Sequence, residues 1–152
     1  MPKKYIEGDV NLSKRFLTEL PDFLSDVAVR GSFKCDSNKL TNLIGGPKIV
    51  GGSYSCKENR LTSLEGAPDI IEGSFYCGKN RLTSLEGGPT TVTGFFDCSN
   101  NILTSLEGCP TSVGGNFTYY HFNEDGKRLE VRAKFTEEDI RAVCDVKGSV
   151  LL

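Results

Sequence analysis

The residues of this chain that could do chemistry are few. They are six cysteines, one histidine and carboxylates scattered along the whole length. Thiols can ligate zinc, form disulfides or act as nucleophiles. Four of them, Cys35, Cys56, Cys77 and Cys98, recur at a constant step of 21 residues. A column of thiols on adjacent parallel strands makes a row, not the tetrahedron of a structural zinc site. Such strands lie roughly 5 Å apart, within disulfide Cα range, so spacing alone leaves a bridge open. The opening MPKKYIEGDV has no hydrophobic signal core. A soluble cytoplasmic protein with reduced thiols is therefore the expectation. The column then reads as small buried hydrophobes, with metal or redox roles as the rival.

His121 could act as a general base, but no nucleophile, base and orienting group are legible around it. Beside Tyr119 and Tyr120 it reads as a polar rim residue. The Gly-Gly pairs recur with the repeat, where positive φ at a corner is a simpler reason than phosphate binding. Asp36, Glu58 and Asp97 fall on different units and compose no calcium loop. No catalytic residue, metal ligand or cofactor is assigned, and the chain is read as a non-enzyme.

Bulk properties narrow the partners. The chain has 152 residues with a formal net charge of −2, its charges mixed. It lacks the basic stripe that neutralises phosphates, which argues against nucleic acid. It lacks an apolar run of membrane-spanning length.

What positions the cysteines is a unit written four times: GSFKCDSNKLTNLIGGPKIVG from Gly31, then copies from Gly52, Gly73 and Gly94. A fixed period of this size means a solenoid whose coils touch mainly their neighbours. Phe33, Tyr54, Phe75, Phe96 and Phe117 form one inward column and the cysteines the next, which is strand alternation. Stacked coils lay these strands into a parallel sheet. Asn38, Asn59, Asn80 and Asn101 follow as turn residues whose side chains can bond backbone of the next coil. Leu40 and Leu43, with their copies, turn inward. Gly45, Gly66, Gly87 and Gly108, with the proline column from Pro47, exclude a long helix on the return. An extended or polyproline-like return ending at Ile49, Ile71, Val92 and Val113 is expected.

The pattern Phe-x-Cys-x-x-Asn-x-Leu-x-x-Leu resembles the leucine-rich repeat, with Phe and Cys in place of two leucines. The short unit and its proline-bearing return are similar to the short repeats of bacterial effectors and phage-encoded repeat proteins. The likeness covers about residues 8–122 and implies a curved parallel sheet with a concave binding face. The fold class is thus mostly β, a short solenoid with one domain over 1–152. Residues 1–30 are an N-terminal cap and degenerate coil, 31–114 four coils, and 115–152 a last coil with its cap.

At the N-terminus, Val10 and Leu12 stand 23 residues before Phe33 and Cys35, which marks a coil with a two-residue insertion. Residues 1–9 cover the first edge or leave it frayed. At the other end 116–122 and 128–135 read as a β-hairpin around the turn cluster at 123–126. Thr136 caps a helix over EEDIRAVC with Ile140, Val143 and Cys144 on its apolar side. This tail is a lid, or also a self-association surface.

Function is sought on the strand positions that point away from the core: Ser32, Lys34, Asp36; Ser53, Ser55, Lys57; Ser74, Tyr76, Gly78; Phe95, Asp97, Ser99; and Asn116, Thr118, Tyr120. Small serines give way to Tyr76, Phe95 and Tyr120 toward the C-terminus. Exposed aromatics beside charges have the composition of an interface, against the plainer reading of incidental surface rings. The candidate partner-binding residues are Lys34, Lys57, Tyr76, Phe95, Asp97, Thr118, Tyr120 and His121. The rows Glu65, Glu86, Glu107 and Lys39, Arg60, Arg81 read as solvated charge exchanging surface ion pairs, with an anion site on the basic row as the alternative. The expected function is recognition of a protein, by family analogy one from a bacterial host, as an inhibitor or modulator. Self-assembly through a sheet edge or the cap is the rival.

Overall fold

The computed structural model describes residues 4–121, 125, 127 and 134–152. The coils stack in register. The front sheet has seven parallel strands: β2 (Val10–Asn11), β4 (Phe33–Lys34), β6 (Tyr54–Ser55), β8 (Phe75–Tyr76), β10 (Phe96–Asp97), β12 (Phe117–Thr118) and β14 (Val150–Leu151). Each is only two residues long because glycine precedes it and a turn follows.

The returns, expected to be extended, also pair as strands. β1 (Lys4–Ile6), β3 (Val27–Val29) and β5 (Ile49–Val50) form one back sheet. β7 (Ile70–Ile71), β9 (Thr91–Val92), β11 (Ser112–Val113) and β13 (Asp145–Val146) form another. The back layer divides between β5 and β7 although the front sheet runs through. Of the two expectations for the start of the chain, residues 4–6 follow the first: they cover the edge of the back sheet as β1 beside β3, with Tyr5 opposite Ala28.

Between the layers lies one continuous core. The aromatic column is fully buried, with ring centroids 5.0, 5.7, 5.8 and 5.1 Å apart from Phe33 to Phe117. The two pairs from Phe75 to Phe117 are stacked and the two from Phe33 to Phe75 tilted, and such aromatic pairs add about 0.5–1.5 kcal/mol each to area burial. Cys35, Cys56, Cys77 and Cys98 are completely buried and carry free thiols. Cys35 Sγ donates to Ser55 O at 3.5 Å and Cys56 Sγ to Tyr76 O at 3.4 Å, so these thiols address carbonyls of the following coil. Leu40, Leu61, Leu82 and Leu43, Leu64, Leu85 complete the interior. On the back wall one expectation slips by a residue. Ile49 points outward, and Val50 joins Ile71, Val92 and Val113 inside. Val50, not Ile49, stands in register with Ile71.

The asparagines hold the coils together, but their side chains bond the preceding coil and their own, where the next coil was expected. Asn59 Nδ2 donates to Cys35 O at 3.0 Å and to Cys56 O at 3.2 Å, while its Oδ1 accepts the Leu40 N–H at 3.1 Å. Asn80 and Asn101 repeat the set. Ahead of each asparagine the chain enters the left-handed region at Ser37, Glu58, Lys79 and Asn100, with φ between 54° and 57°. That conformation is costly for a side-chain-bearing residue. The adjacent asparagine bonds and stacked backbone fix it. At the opposite corner Gly66 has φ +100°, and a Cβ there would collide with the Leu43 backbone.

The C-terminal end departs most from expectation. β12 has β10 on one side and β14 on the other, both parallel. Neither edge is free for the antiparallel return of a hairpin, and most of its second strand, 128–133, lies outside the described residues. The sheet is instead finished by Val150–Leu151, so a further rung follows an enlarged coil. Ser149 N donates to Asn116 Oδ1 across a separation of 33 residues, where the first coil uses 23 and the steps from Ser32 to Phe95 use 21. The helix is present: α1 (Glu137–Val143) has Thr136 as N-cap in a reciprocal capping box with Asp139. The Thr136 N–H donates to Asp139 Oδ2 at 2.8 Å and the Asp139 N–H to Thr136 Oγ1 at 3.1 Å. The Thr136 N–H, and then its hydroxyl at 2.9 Å, donate to the Asp139 carboxylate and hold it below its usual range. Ile140 and Cys144 face the core, whereas Val143 is exposed. Arg141 ties the helix down, donating to Val146 O at 2.7 Å and Gly148 O at 3.0 Å. Among the described residues no helix is long and apolar enough to cross a membrane.

Candidate functional site on the front sheet

Strand pairing places much of the predicted site in one line. Lys34, Ser55, Tyr76, Asp97 and Thr118 are consecutive register partners across β4 to β12. Adjacent members are thus about 4.8 Å apart along the ladder. Lys57 belongs to the neighbouring line with Tyr120, and its Nζ stands 5.7 Å over the Tyr76 ring. A cation at that range is attracted by the ring face and holds the ring to the sheet.

The N-terminal half of this face is hollowed. A depression of about 400 Å3 is lined by Lys34, Asp36, Ser55, Lys57 and Tyr76, together with Ser13 and Lys14 of the first coil. Asp36 is its fixed polar floor, with Oδ1 accepting from Ser55 Oγ at 2.6 Å and from the Lys57 N–H at 2.8 Å. Above it Glu58 bonds Lys79 Nζ at 2.8 Å and Ser37 Oγ at 2.9 Å. Those bonds, Lys79's first, lower the Glu58 pKa.

The C-terminal half carries Phe95 and Tyr120. Phe95 is 50 % exposed, its ring lying over Gly115. Asp97 Oδ1 accepts the Ser99 N–H at 2.9 Å, which points the carboxylate along the strand face. Thr118 is half-buried beside it, and its carbonyl accepts the Cys98 N–H at 3.0 Å. The Tyr120 N–H donates to Ser99 Oγ at 3.0 Å. His121 lies off these lines, in the turn column of Ser37, Glu58, Lys79 and Asn100. It packs edge-on against Tyr119 at 5.0 Å and so belongs to the rim.

Several positions on the expected solvent face bond backbone of the next coil instead. Ser32 Oγ accepts the Ser53 N–H at 3.1 Å, Ser53 Oγ the Ser74 N–H at 3.0 Å, and Ser74 Oγ the Phe95 N–H at 2.9 Å. Asp9 begins this ladder and Asn116 ends it. Five of its six steps thus supply a side-chain acceptor, and Phe95 is the exception. The register of the serines, one step per coil, is the signal for this in the sequence.

The two charged rows behave differently from expectation. The ion pairs among the described residues join Glu7 to Arg30, Glu58 to Lys79, Glu137 to Arg141 and Asp145 to Lys147. None uses Glu65, Glu86, Glu107, Arg60 or Arg81, and Lys39 stands 5.7 Å over the Phe16 ring. Among the described residues no three His, Cys, Asp or Glu side chains gather as metal ligands. The chain matches no protein-family model, no curated protein and no solved structure.

Proposed function

We propose that this chain is a non-enzymatic protein-binding module that docks its partner on the front sheet. The observation that carries the reading is Phe95. At that place in the repeat the other coils carry a side chain that caps the next strand's N–H, and this one carries a half-exposed phenyl ring. Giving up a backbone acceptor for an apolar surface group favours binding over stability. Tyr76, Asp97 and Thr118 form the next line of the same face and Tyr120 the line beyond it, a mixture typical of an interface, and Lys34 and Lys57 supply a cationic flank. The likeness of the repeats to short leucine-rich repeats of bacteria and phages suggests a bacterial host protein as the partner, blocked or redirected in the cytoplasm.

The test is comparative capture from a bacterial lysate. A Tyr76→Ala/Phe95→Ala double variant should lose a protein that the unaltered chain retains, while an Ile70→Thr control on the back sheet keeps it. Equal retention by all three forms would move the docking site off this face.

A second reading has its own support. The first coil exposes Tyr5, Phe16 and Phe23, and the front sheet ends on β2, whose outer edge has no neighbouring strand among the described residues. An open edge beside exposed rings favours pairing between copies. Sedimentation at micromolar concentration separates the readings, since a strict monomer excludes assembly.

A further inference from the structure

The turn that follows each front strand carries a charge that the chain as a whole does not. It comprises residues 14–16, 37–39, 58–60, 79–81 and 100–102, one segment per coil. These segments hold Lys14, Arg15, Lys39, Arg60, Lys79 and Arg81 against one carboxylate, Glu58, in a chain of net charge −2. The linear sequence shows no basic run because its rungs are 21 or 23 residues apart. Stacking brings them onto one corner of the solenoid.

One line of this corner is regular. Phe16, Lys39, Arg60, Arg81 and Ile102 occupy the same place in successive coils. Each backbone N–H after the first donates to a leucine carbonyl of the preceding coil: Lys39 to Leu17 at 2.8 Å, Arg60 to Leu40 at 2.9 Å, Arg81 to Leu61 at 2.9 Å and Ile102 to Leu82 at 3.0 Å. Neighbouring members are thus about 4.8 Å apart, and the line is roughly 19 Å long. All five side chains are exposed. Among the described residues no ion pair uses Lys14, Arg15, Lys39, Arg60 or Arg81. Glu58 is taken by Lys79 and Ser37.

The ends of the line are apolar. Phe16 is 78 % exposed and Ile102 61 %. Phe16 has φ 58°, and none of its four partners in the line enters that region. A bulky ring there is a steric outlier. Strain of that kind collects where a ligand is held. Lys39 Nζ stands 5.7 Å over the same ring, so cation and apolar tip share one spot.

We propose that this corner is a membrane-contact ridge, which lays Lys39, Arg60 and Arg81 on the headgroups of an anionic bilayer and inserts Phe16 and Ile102 into its interface. The contact is peripheral and needs no spanning segment. Cations near an anionic leaflet are attracted to it, and exposed apolar tips beside them enter the boundary between headgroups and acyl chains. A nucleic-acid backbone would use the cations but offers an isoleucine tip nothing to bury it. A line of side chains on an outer corner meets a flat surface along its whole length. The ridge uses none of the residues of the front-sheet site, and the inference does not rest on protein docking there.

The test is cosedimentation of the full chain with vesicles of phosphatidylcholine alone and of phosphatidylcholine and phosphatidylserine in equal parts, at low and high salt. Binding is expected only to the anionic vesicles, and it should weaken as salt screens the charges. Each cation near such a surface contributes about fivefold in affinity, so Arg60→Gln/Arg81→Gln should bind roughly 25-fold more weakly. Lys48→Gln/Lys147→Gln removes the same charge beside the back sheets and should bind like the parent. The chain has no tryptophan, so the emission of a Phe16→Trp variant reports on that place alone. It should shift to the blue on anionic vesicles and be quenched by brominated acyl chains. The parent's binding depends on no variant folding. No binding to the anionic vesicles at low salt, an unaltered affinity in Arg60→Gln/Arg81→Gln, or an unmoved emission in Phe16→Trp would overturn the proposal. So would tighter binding to a single-stranded oligonucleotide than to the vesicles, which would assign the ridge to nucleic acid.

Discussion

Ser74 Oγ accepts the backbone N–H of Phe95 at 2.9 Å, and Phe95 offers nothing of the kind to Asn116 in the next coil. The pair marks where a stacking device stops and a surface feature begins. Phe95→Ser would restore the acceptor, contributing about 0.5–1.5 kcal/mol, against the loss of a half-exposed ring's contact with Gly115. Urea denaturation should therefore show unchanged or slightly raised stability, by up to about 1 kcal/mol. The same variant should lose partner capture. A clear drop in midpoint would instead identify the ring as part of the packing. Ser53→Ala gives the converse: the Ser74 N–H loses its side-chain acceptor, and stability should fall by about 1 kcal/mol.

Tyr54 is the odd member of the aromatic column. Its ring is fully buried, and its hydroxyl finds no hydrogen-bond partner among the described residues. The oxygen lies beneath the Gly46 corner of the preceding coil. An unsatisfied buried hydroxyl costs about 1–3 kcal/mol. Tyr54→Phe should raise stability by that order, read as a higher urea midpoint at unchanged m-value. A destabilised variant would show that the hydroxyl is satisfied after all. The same two coils are those whose back strands, β5 and β7, fall in separate sheets.

The asparagine column should tolerate nothing. Asn80 Nδ2 donates to Cys56 O and Cys77 O at 3.0 Å each, and Oδ1 accepts the Leu61 N–H at 3.0 Å. Asn80→Asp has the same shape but turns a double donor into an acceptor facing carbonyls. With the group buried, the loss should reach roughly 3 kcal/mol or more, seen as loss of cooperative unfolding or of soluble protein. An Asn80→Asp protein as stable as the parent would mean that the side chain bonds water rather than backbone.

Much of this was legible because a 21-residue step sets like on like. Phe33 to Phe117, the four cysteines and the leucines read as inward columns and are so. Expectation and structure part where the step is not the whole signal. Ile49 and Val50 are adjacent and both aliphatic, and only counting back from Ile71 selects Val50. The final rung escapes a search at the regular step because 33 residues separate Asn116 from Ser149, yet Lys147-Gly148-Ser149-Val150 repeats Glu72-Gly73-Ser74-Phe75 in type. Polarity misleads at the serines: a small hydroxyl on a strand's outer face reads as solvent surface, and its bond to the next coil emerges only once the coils are stacked. The line Lys34, Tyr76, Asp97, Thr118 was legible as a face, but the hollow at Lys34, Asp36 and Lys57 depends on side-chain size in three coils at once.

The last prediction concerns alkaline pH. Burial, as the chief cause, raises the thiols of Cys35, Cys56, Cys77 and Cys98 well above their ordinary value of 9.0. In the unfolded chain each would ionise normally. Below pH 9 both states keep their protons and the thiols add no pH dependence. Above it the unfolded state loses protons that the folded state keeps, so stability falls as pH rises. Each thiol contributes a limiting slope of about 1.4 kcal/mol per pH unit. The fall should start near pH 9 and be steep, since all four act together, with Tyr54, raised by the same burial, joining at higher pH. A Cys56→Val/Cys77→Val variant keeps apolar side chains at those places and removes two of the four groups. Urea midpoints between pH 8 and 10.5 should fall about half as steeply for it over the thiol range. Equal slopes in the two proteins would show that the alkaline loss comes from elsewhere, and that the column thiols ionise alike in both states.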